Sequence, residues 1–392
     1  MDALARFGAR PDGGVDRQAL TKADLDSRRF LIEHARSIEL EVSRDPMANL
    51  FFRLRGTSDF LAPVVIGSHA DSQPTGGQFD GAFGVCAALE VARAIAESGR
   101  KFARPLDVVS WTNEEGCRFA PGSMGAIAFV QPDRFECLTR AVDRTGRTVR
   151  QELEVESTLF ADVPLRPFAV EFHAFLEAHI EQGPILEQLA VPVGVVRGIQ
   201  GARWYEVSID GEAAHAGCTP RQFRRDAFRR AAELATELYA LLDQGDDYLR
   251  ITIGSVLVLP GSINVIPDKV IMSVDVRHPT SDVLDEIERR LNEFAADAVK
   301  IKRTMNIAPL EFPDFIRNII SRAATDLGIA TTQINSGAFH DSVYLARHCP
   351  TGMIFVPSRN GISHNPKEYT SSADLFAGAR VLAQSTVALL DT

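Results

Sequence analysis

Cysteine is scarce. Cys86, Cys117, Cys137, Cys218 and Cys349 are the five in 392 residues, odd in number, far apart and never in a Cys-x-x-Cys pair. That excludes a disulfide framework and a cysteine-held zinc knot, and leaves free thiols packed as small apolar side chains. Nowhere do about 18 apolar residues follow one another, so no membrane-crossing helix is expected. The opening MDALARFGARPDGG has no apolar stretch ahead of a small-residue cleavage site. This is not the pattern of a secretory leader, and a cytoplasmic protein with no membrane partner is the expectation. Basic charge is also short: 42 Lys and Arg stand against 52 Asp and Glu, a formal net charge of −10. Such a balance speaks against nucleic acid or an anionic membrane as partner. Repeats of about 20 to 50 residues and low-complexity tracts are missing as well, which removes solenoids and propellers.

What is present is an ordinary globular composition, 45% hydrophobic and 24% charged, in a chain long enough for two domains or three at most. Residues 63–66 form a short apolar run closed by Gly67, and after a polar loop helical spacing covers Ala82–Glu97. Leu106–Trp111 and Thr351–Val356 are two more buried-strand patterns, each running at once into polar residues. Between residues 204 and about 306 the rhythm changes. Strand 204–209, a helix from about 221 to 242, strands 250–258 and 269–277, a helix over 282–299 and a weak last strand follow in turn. This β-α-β-β-α-β order matches a small ferredoxin-like domain. The expected fold is α/β: a catalytic domain with a central mixed sheet flanked by helices, made of 1–199 and 310–392, and an inserted ferredoxin-like α+β domain over 200–309.

Polar groups gather where the apolar runs end. In Gly67-Ser68-His69-Ala70-Asp71, His69 and Asp71 fall at the carboxyl edge where open α/β sheets build sites. In extended chain they share one side, so the Asp71 carboxylate can orient the imidazole, although a His-x-Asp triplet also arises by chance. Asp80, among Gly76, Gly77, Gly81 and Gly84, reads equally as a helix cap and as a carboxylate reachable from two ions. Glu114 and Glu115 adjoin at the end of LDVVSW, where a turn can send one to a cation and the other to a water, ligand and general base side by side. FHAFLEAHIE, residues 172–181, alternates so that Phe175, Glu177, His179 and Glu181 share a face, and His364 closes the loop after TGMIFV. His69, Asp80, Glu115, His179 and His364 together suit a pair of borderline divalent ions, Zn²⁺, Mn²⁺, Co²⁺ or Ni²⁺, that share Asp80 and a water whose proton Glu114 takes. A two-metal hydrolase is the reading.

The strings GSHADSQPTGGQFDGAFGV, WTNEEGCRFAPGSMG, LEAHIEQGPILE, EAAHAGCTPRQFRRDA, INVIPDKV and VPSRNGISHNPKEYT resemble the bimetallic aminoacylase and carboxypeptidase superfamily. Within it they are most similar to the branch of N-carbamoyl-L-amino acid hydrolases, β-ureidopropionases and allantoate amidohydrolases, with HIEQGP and NEEG as marks of that branch. The resemblance implies a metallopeptidase-like catalytic domain in which Glu115 and His364 hold one metal, His69 and His179 the other, and Asp80 bridges. Asp71 would orient His69, and Glu114 would be general acid and base. The inserted domain would dimerise and cover the site, with His215, Asn264 and Arg277 binding a small-molecule substrate across a homodimer. Arg277 offers a forked cation to a substrate carboxylate, His215 a donor to an oxyanion, and Asn264 a bond to either.

Gln182 and Gln200 are further candidates for the ureido group or the carboxylate, against a reading as polar residues bonded to backbone. His340 and Asp341 are placed beside the site, His340 among the substrate-binding residues, with Phe339 where relatives usually carry glycine. Arg221 stands where methionine is common. His34, His173, His278 and His348 are ordinary histidines. The implied reaction is hydrolysis of the carbamoyl C–N bond of N-carbamoyl-L-amino acids or N-carbamoyl-β-alanine to amino acid, carbon dioxide and ammonia. Its rivals are allantoate hydrolysis, an amidase or peptidase acting on N-acyl amino acids, and a non-catalytic scaffold, which the complete ligand set opposes.

Overall fold

Apolar runs bounded by turns become the strands of one mixed sheet in the computed structural model, which describes residues 1–58, 60–242 and 245–392. The strands are β1 (Glu41–Arg44), β2 (Leu50–Leu54), β3 (Val64–His69), β4 (Leu106–Trp111), β5 (Ala174–Ile180), β6 (Val193–Ile199), β7 (Thr331–Ser336) and β8 (Thr351–Val356). They lie in the order β1-β2-β4-β3-β5-β8-β6, with β7 also paired to β6. β3 runs parallel to β4 and β5, and β8 parallel to β5. The carboxyl ends of these four strands therefore share one rim, and whatever follows them in sequence is brought to the same place.

Strands β3, β4, β5 and β8 are buried along their whole length, because both faces of the sheet are covered, the situation that selects continuous apolar runs. On one face Ile66, Leu176 and Ile354 pack with Phe83, Val91 and Ile320. On the other, Val65, Val109 and Phe175 pack with Trp111, Phe129 and Phe172. Helices α1 (Lys22–Ser37), α2 (Ala82–Glu97), α3 (Asp314–Asp326) and α4 (Ser372–Leu390) supply the first of these layers. Helix α4 is long and apolar enough to cross a bilayer. Its Val381, Leu382, Leu389 and Leu390 nevertheless sit in the core with Phe83 and Val356, so its apolarity has a use inside the fold.

The chain divides into two units, Met1–Arg197 with Phe312–Thr392, and Gly198–Glu311. The second unit has its own antiparallel sheet of strands Gly201–Asp210, Arg250–Leu259, Lys269–His278 and Val299–Ile307, in the spatial order fourth, first, third, second. Helices Ala227–Ala240 and Ser281–Glu293 close its core, where Val207, Val274, Leu234 and Leu291 meet. Two element ends differ from expectation. The first helix begins at Ala227, not near 221, because Asp226 caps it by accepting the N–H of Phe228 and Arg229. The second helix stops at Glu293, and Val299–Ile307 is a full strand whose Val299 and Ile301 pack on the unit's core.

Candidate metal centre

Four rim loops build the site in the first unit. His69 is the last residue of β3. Glu114 and Glu115 follow β4 after a bend at Asn113, whose φ of 57° is left-handed and whose side chain ties the loop by donating to the carbonyls of Phe119 and Pro121 at 2.8 and 3.2 Å. His179 lies within β5, and His364, also left-handed with φ 54°, follows β8. Asp80 immediately precedes Gly81, the N-cap of α2. Only glycine fits at 81: φ is 62°, and a Cβ there would stand 2.3 Å from Cε1 of His69.

Asp80 is the centre of the arrangement. Its Oδ1 lies 3.6 Å from His69 Nε2 and 3.2 Å from His179 Nε2, while Oδ2 lies 3.2 Å from His364 Nε2. Glu115 Oε2 is 3.4 Å from the same His364 nitrogen. Two donor groups follow, His69-Asp80-His179 and Asp80-Glu115-His364, each with ligand atoms within 4.8 Å of one another. The two buried imidazoles have Nδ1 against a carbonyl, His69 on Asp71 O at 3.0 Å and His179 on Ile180 O at 2.9 Å. Each carbonyl accepts the Nδ1 proton and leaves Nε2 as the atom facing Asp80, the tautomer a metal needs. All donors are nitrogen or oxygen, so the residues fit two borderline divalent cations.

Glu114 belongs to neither donor group. Its Oε2 is 3.5 Å from His69 Nε2. Burial, opposed by His69 and reinforced by Asp341 and Glu115, holds its carboxyl well above the usual range. Asp71 reaches both His69 and the next loop. Its carboxylate is 3.6 Å from His69, farther than its own carbonyl, and the two carboxylate oxygens accept the N–H of Glu114 and of Glu115, each at 3.2 Å. The turn that carries Glu114 and Glu115 is what these two bonds fix.

Gln182, at φ 57°, donates from Nε2 to Asp80 Oδ2 at 2.9 Å, and its buried Oε1 has no partner among the described residues. His340 is buried behind His179, with ring centroids 4.5 Å apart and Nε2 3.0 Å from Ser336 Oγ. Burial and the neighbouring His179 hold His340 well below the ordinary histidine range, hence neutral. Asp341 has both oxygens buried without partners, and burial beside Glu177 pushes it well above the carboxylate range. The remaining candidates lie in the second unit. His215 and Asn264 adjoin there, since the Ala216 N–H donates to Asn264 O at 2.9 Å. Gln200 is buried just ahead of strand Gly201–Asp210. Arg277 is paired with Asp275 at 3.0 Å.

Several supports were not singled out from the sequence. Glu368, buried, accepts the N–H of Phe79 and Asp80 at 2.9 and 3.1 Å and the hydroxyl of Ser363 at 3.0 Å, tying the Asp80 loop to the His364 loop. A Cβ at Gly77 would lie 2.2 Å from its Oε1, so the glycine pair signals a close neighbour without saying which. Gln73 holds Glu115 twice, from its backbone N–H at 3.1 Å and Nε2 at 2.7 Å. Two buried guanidiniums brace the rim from behind. Arg17 donates to Ala70 O at 2.6 Å, between His69 and Asp71, and Arg28 to Thr112 Oγ1 at 3.0 Å.

Without metal, burial and Asp80 push Glu115 up to about 7, and the Asp80 hydrogen bond raises His364 to about 9. Both groups must give up their protons to act as ligands, so loading expels protons and affinity climbs as pH rises through this interval. Calorimetric titration of Mn²⁺ into chelator-stripped protein at pH below 7, in two buffers of different ionisation heat, should show release of more than one proton per chain. Heats independent of buffer would contradict this.

Comparison with known proteins gives a consistent picture. The model of the peptidase family M20/M25/M40 matches residues 65–387. An N-carbamoyl-L-amino-acid amidohydrolase of Paenarthrobacter aurescens is 36% identical over 400 aligned residues, covering 98% of this chain and 95% of its own. The allantoate amidohydrolase of Bacillus subtilis strain 168 is 34% identical, with 97% and 94% covered. The crystal structure of an amidase of the hydantoinase/carbamoylase family from Burkholderia multivorans superposes with a TM-score of 0.92 at 39% identity, covering 100% of this chain and 96% of the other.

Proposed function

The chain belongs to the peptidase family M20/M25/M40, and we propose that it is a metal-dependent amidohydrolase cleaving the carbamoyl C–N bond of N-carbamoyl amino acids. The carrying observation is Asp80, whose two oxygens are divided between two nitrogen- and oxygen-donor groups with the largely covered Glu114 carboxyl alongside. His69, Asp80 and His179 would hold one divalent ion and Asp80, Glu115 and His364 the other. Such ions, when bound, lower the pKa of a water and polarise a carbonyl. Glu114 takes the proton of the attacking water and hands it to the leaving nitrogen; a carboxyl of raised pKa can hold that proton between the two steps. The unpaired Gln182 Oε1 accepts an N–H of the ureido group.

His215 suits the oxyanion. Its Nδ1 accepts the N–H of Gly217 at 3.0 Å and of Cys218 at 3.2 Å, which leaves the ring proton on Nε2, pointing away from the turn as a donor. Arg277 suits the substrate carboxylate. It stands opposite Ala202, whereas Lys269, at the other end of the same strand, stands opposite Asp210, next to the loop that leads to His215. Eight residue steps of strand are about 26 Å, too far for one small substrate to touch both within a single copy of this unit. A homodimer resolves this, with His215 and Asn264 from one copy and Arg277 from the other. Strand Arg250–Leu259 is an edge of the second unit's sheet with Val256 and Leu257 49% and 50% exposed, and an unpaired apolar edge of that kind invites pairing with its own copy. A small acidic metabolic enzyme of this type would work in the cytoplasm.

The test is ammonia release from N-carbamoyl-L-amino acids, N-carbamoyl-β-alanine and allantoate, using stripped enzyme reloaded with Mn²⁺, Co²⁺ or Zn²⁺. A carbamoyl amino acid should be preferred. Preference for allantoate would transfer the same site to the rival substrate, and silence on all with metal bound would overturn the reading in favour of acyl amides.

A further inference from the structure

The second unit contains a charged cleft that the proposed reaction does not use. It has a volume of about 800 Å³ and lies between the turn of residues 217–220 and the start of helix Ala227–Ala240. Arg221, Arg224, Arg229 and Arg230 line it, against Asp226 and Glu233. This leaves a local excess of positive charge in a chain whose net charge is −10. Both carboxylates are already engaged. Asp226 Oδ1 caps the helix, accepting the N–H of Phe228 and Arg229 at 3.1 Å each, and Glu233 is shared by Arg229 at 3.2 Å and Arg230 at 3.5 Å. Arg221 is exposed, and among the described residues no hydrogen bond or ion pair engages its guanidinium. Its helical turn, Arg221–Phe223, is closed by a backbone bond and has no side-chain cap among the described residues.

An unpaired guanidinium beside two half-neutralised ones presents forked donors of the geometry that carboxylate and phosphate match. We propose that this cleft binds the oxyanion group of a small molecule, a carboxylate or phosphate, and that the bound anion steadies the turn carrying His215. The wall and the histidine form one hydrogen-bonded piece. Arg224 donates to Thr219 O at 2.9 Å and to Ala216 O, and the His215 ring takes the N–H of Gly217 and Cys218. Anion binding stands by itself; its effect on turnover rests on the role given to His215 above. The anion is either free in solution or a second carboxylate on the substrate.

Calorimetric titration of the metal-loaded enzyme with inorganic sulfate, at fixed ionic strength in chloride, tests the binding. The wild type should take up sulfate, and Arg221→Met and Arg229→Ala should each weaken it by about 10-fold or more, the cost of one charged donor. No uptake by the wild type, or equal affinity in all three proteins, overturns the proposal, and neither result depends on the enzyme's substrate. Kinetics separate the two sources. If the anion belongs to the substrate, Arg221→Met lowers kcat/KM for N-carbamoyl-L-aspartate and spares N-carbamoyl-L-alanine. If it is free, sulfate changes the wild-type rate on both substrates and leaves Arg221→Met unaffected.

Discussion

Glu114→Ala should lower kcat by about 10²- to 10⁴-fold, the range for loss of a positioned general acid-base group, and leave two ions per chain in place. The separation of effects follows from where Glu114 is held. Its side chain contributes to neither donor group, and its place in the loop is set by the main chain, through the N–H bonded to Asp71 and the carbonyl that accepts from Ser123 at 2.8 Å. Removing the carboxyl therefore leaves Glu115 on its own anchors, the backbone and side chain of Gln73. Glu114→Gln keeps the shape and loses the titratable proton, so it should fall as far. Metal content by elemental analysis with kcat on the preferred substrate decides the matter. Normal turnover would remove the role, and loss of metal would move Glu114 among the ligands.

Asp80→Asn is expected to act at the earlier stage of metal uptake. Burial alone would raise Asp80, but hydrogen bonds with His179, His364 and His69 outweigh it and keep the group well below the usual carboxylate range. It is an anion that two donor groups share. Asparagine offers one neutral oxygen where the two halves each need a charged one. Metal affinity should fall by more than the roughly 100-fold that loss of a partner outside the ligand set costs, and activity should vanish at ordinary metal concentrations. A variant that retains two ions with wild-type affinity would show that Asp80 is not shared.

The difference between these two variants was open to sequence reading, because chemistry-bearing residues stood at the ends of apolar runs. Three of those runs and the alternating strand that carries His179 are parallel neighbours, so side chains separated by up to 295 residues in sequence, from His69 to His364, share a rim. The β-α-β-β-α-β order read from residue 204 falls where a second, antiparallel sheet lies, although that reading leaves out the alternating burial of its strands. What escaped was whatever acts through main chain. Arg17 and Arg28 bond to carbonyls and a hydroxyl from buried positions that carry no recognisable spacing, and Glu368 serves backbone N–H groups nearly 290 residues away. Asp71 was noticed for the neighbour it can reach in an extended chain. Its carboxylate also holds the next loop, a tertiary link no local pattern encodes. The start of helix Ala227–Ala240 was misplaced for a related reason: arginine-rich residues 221–225 are compatible with helix, and the capping aspartate decides.

Strand β8 has a consequence for how the protein is made. It lies between β5 and β6, bonded to both, yet it leaves the ribosome long after either. At the usual pace of synthesis, roughly 10 to 30 seconds pass between the appearance of β6 and that of β8, while residues 198–311 emerge and can fold as a separate unit. Throughout that interval β5 and β6 wait with unpaired edges, a state prone to pairing with the wrong chain. His364 and Glu368 emerge later still, so a nascent chain can gain neither the second donor group nor the clasp on Asp80 until its sheet is complete. Filling of the second donor group would then come at the end of biogenesis, after the sheet has closed around β8.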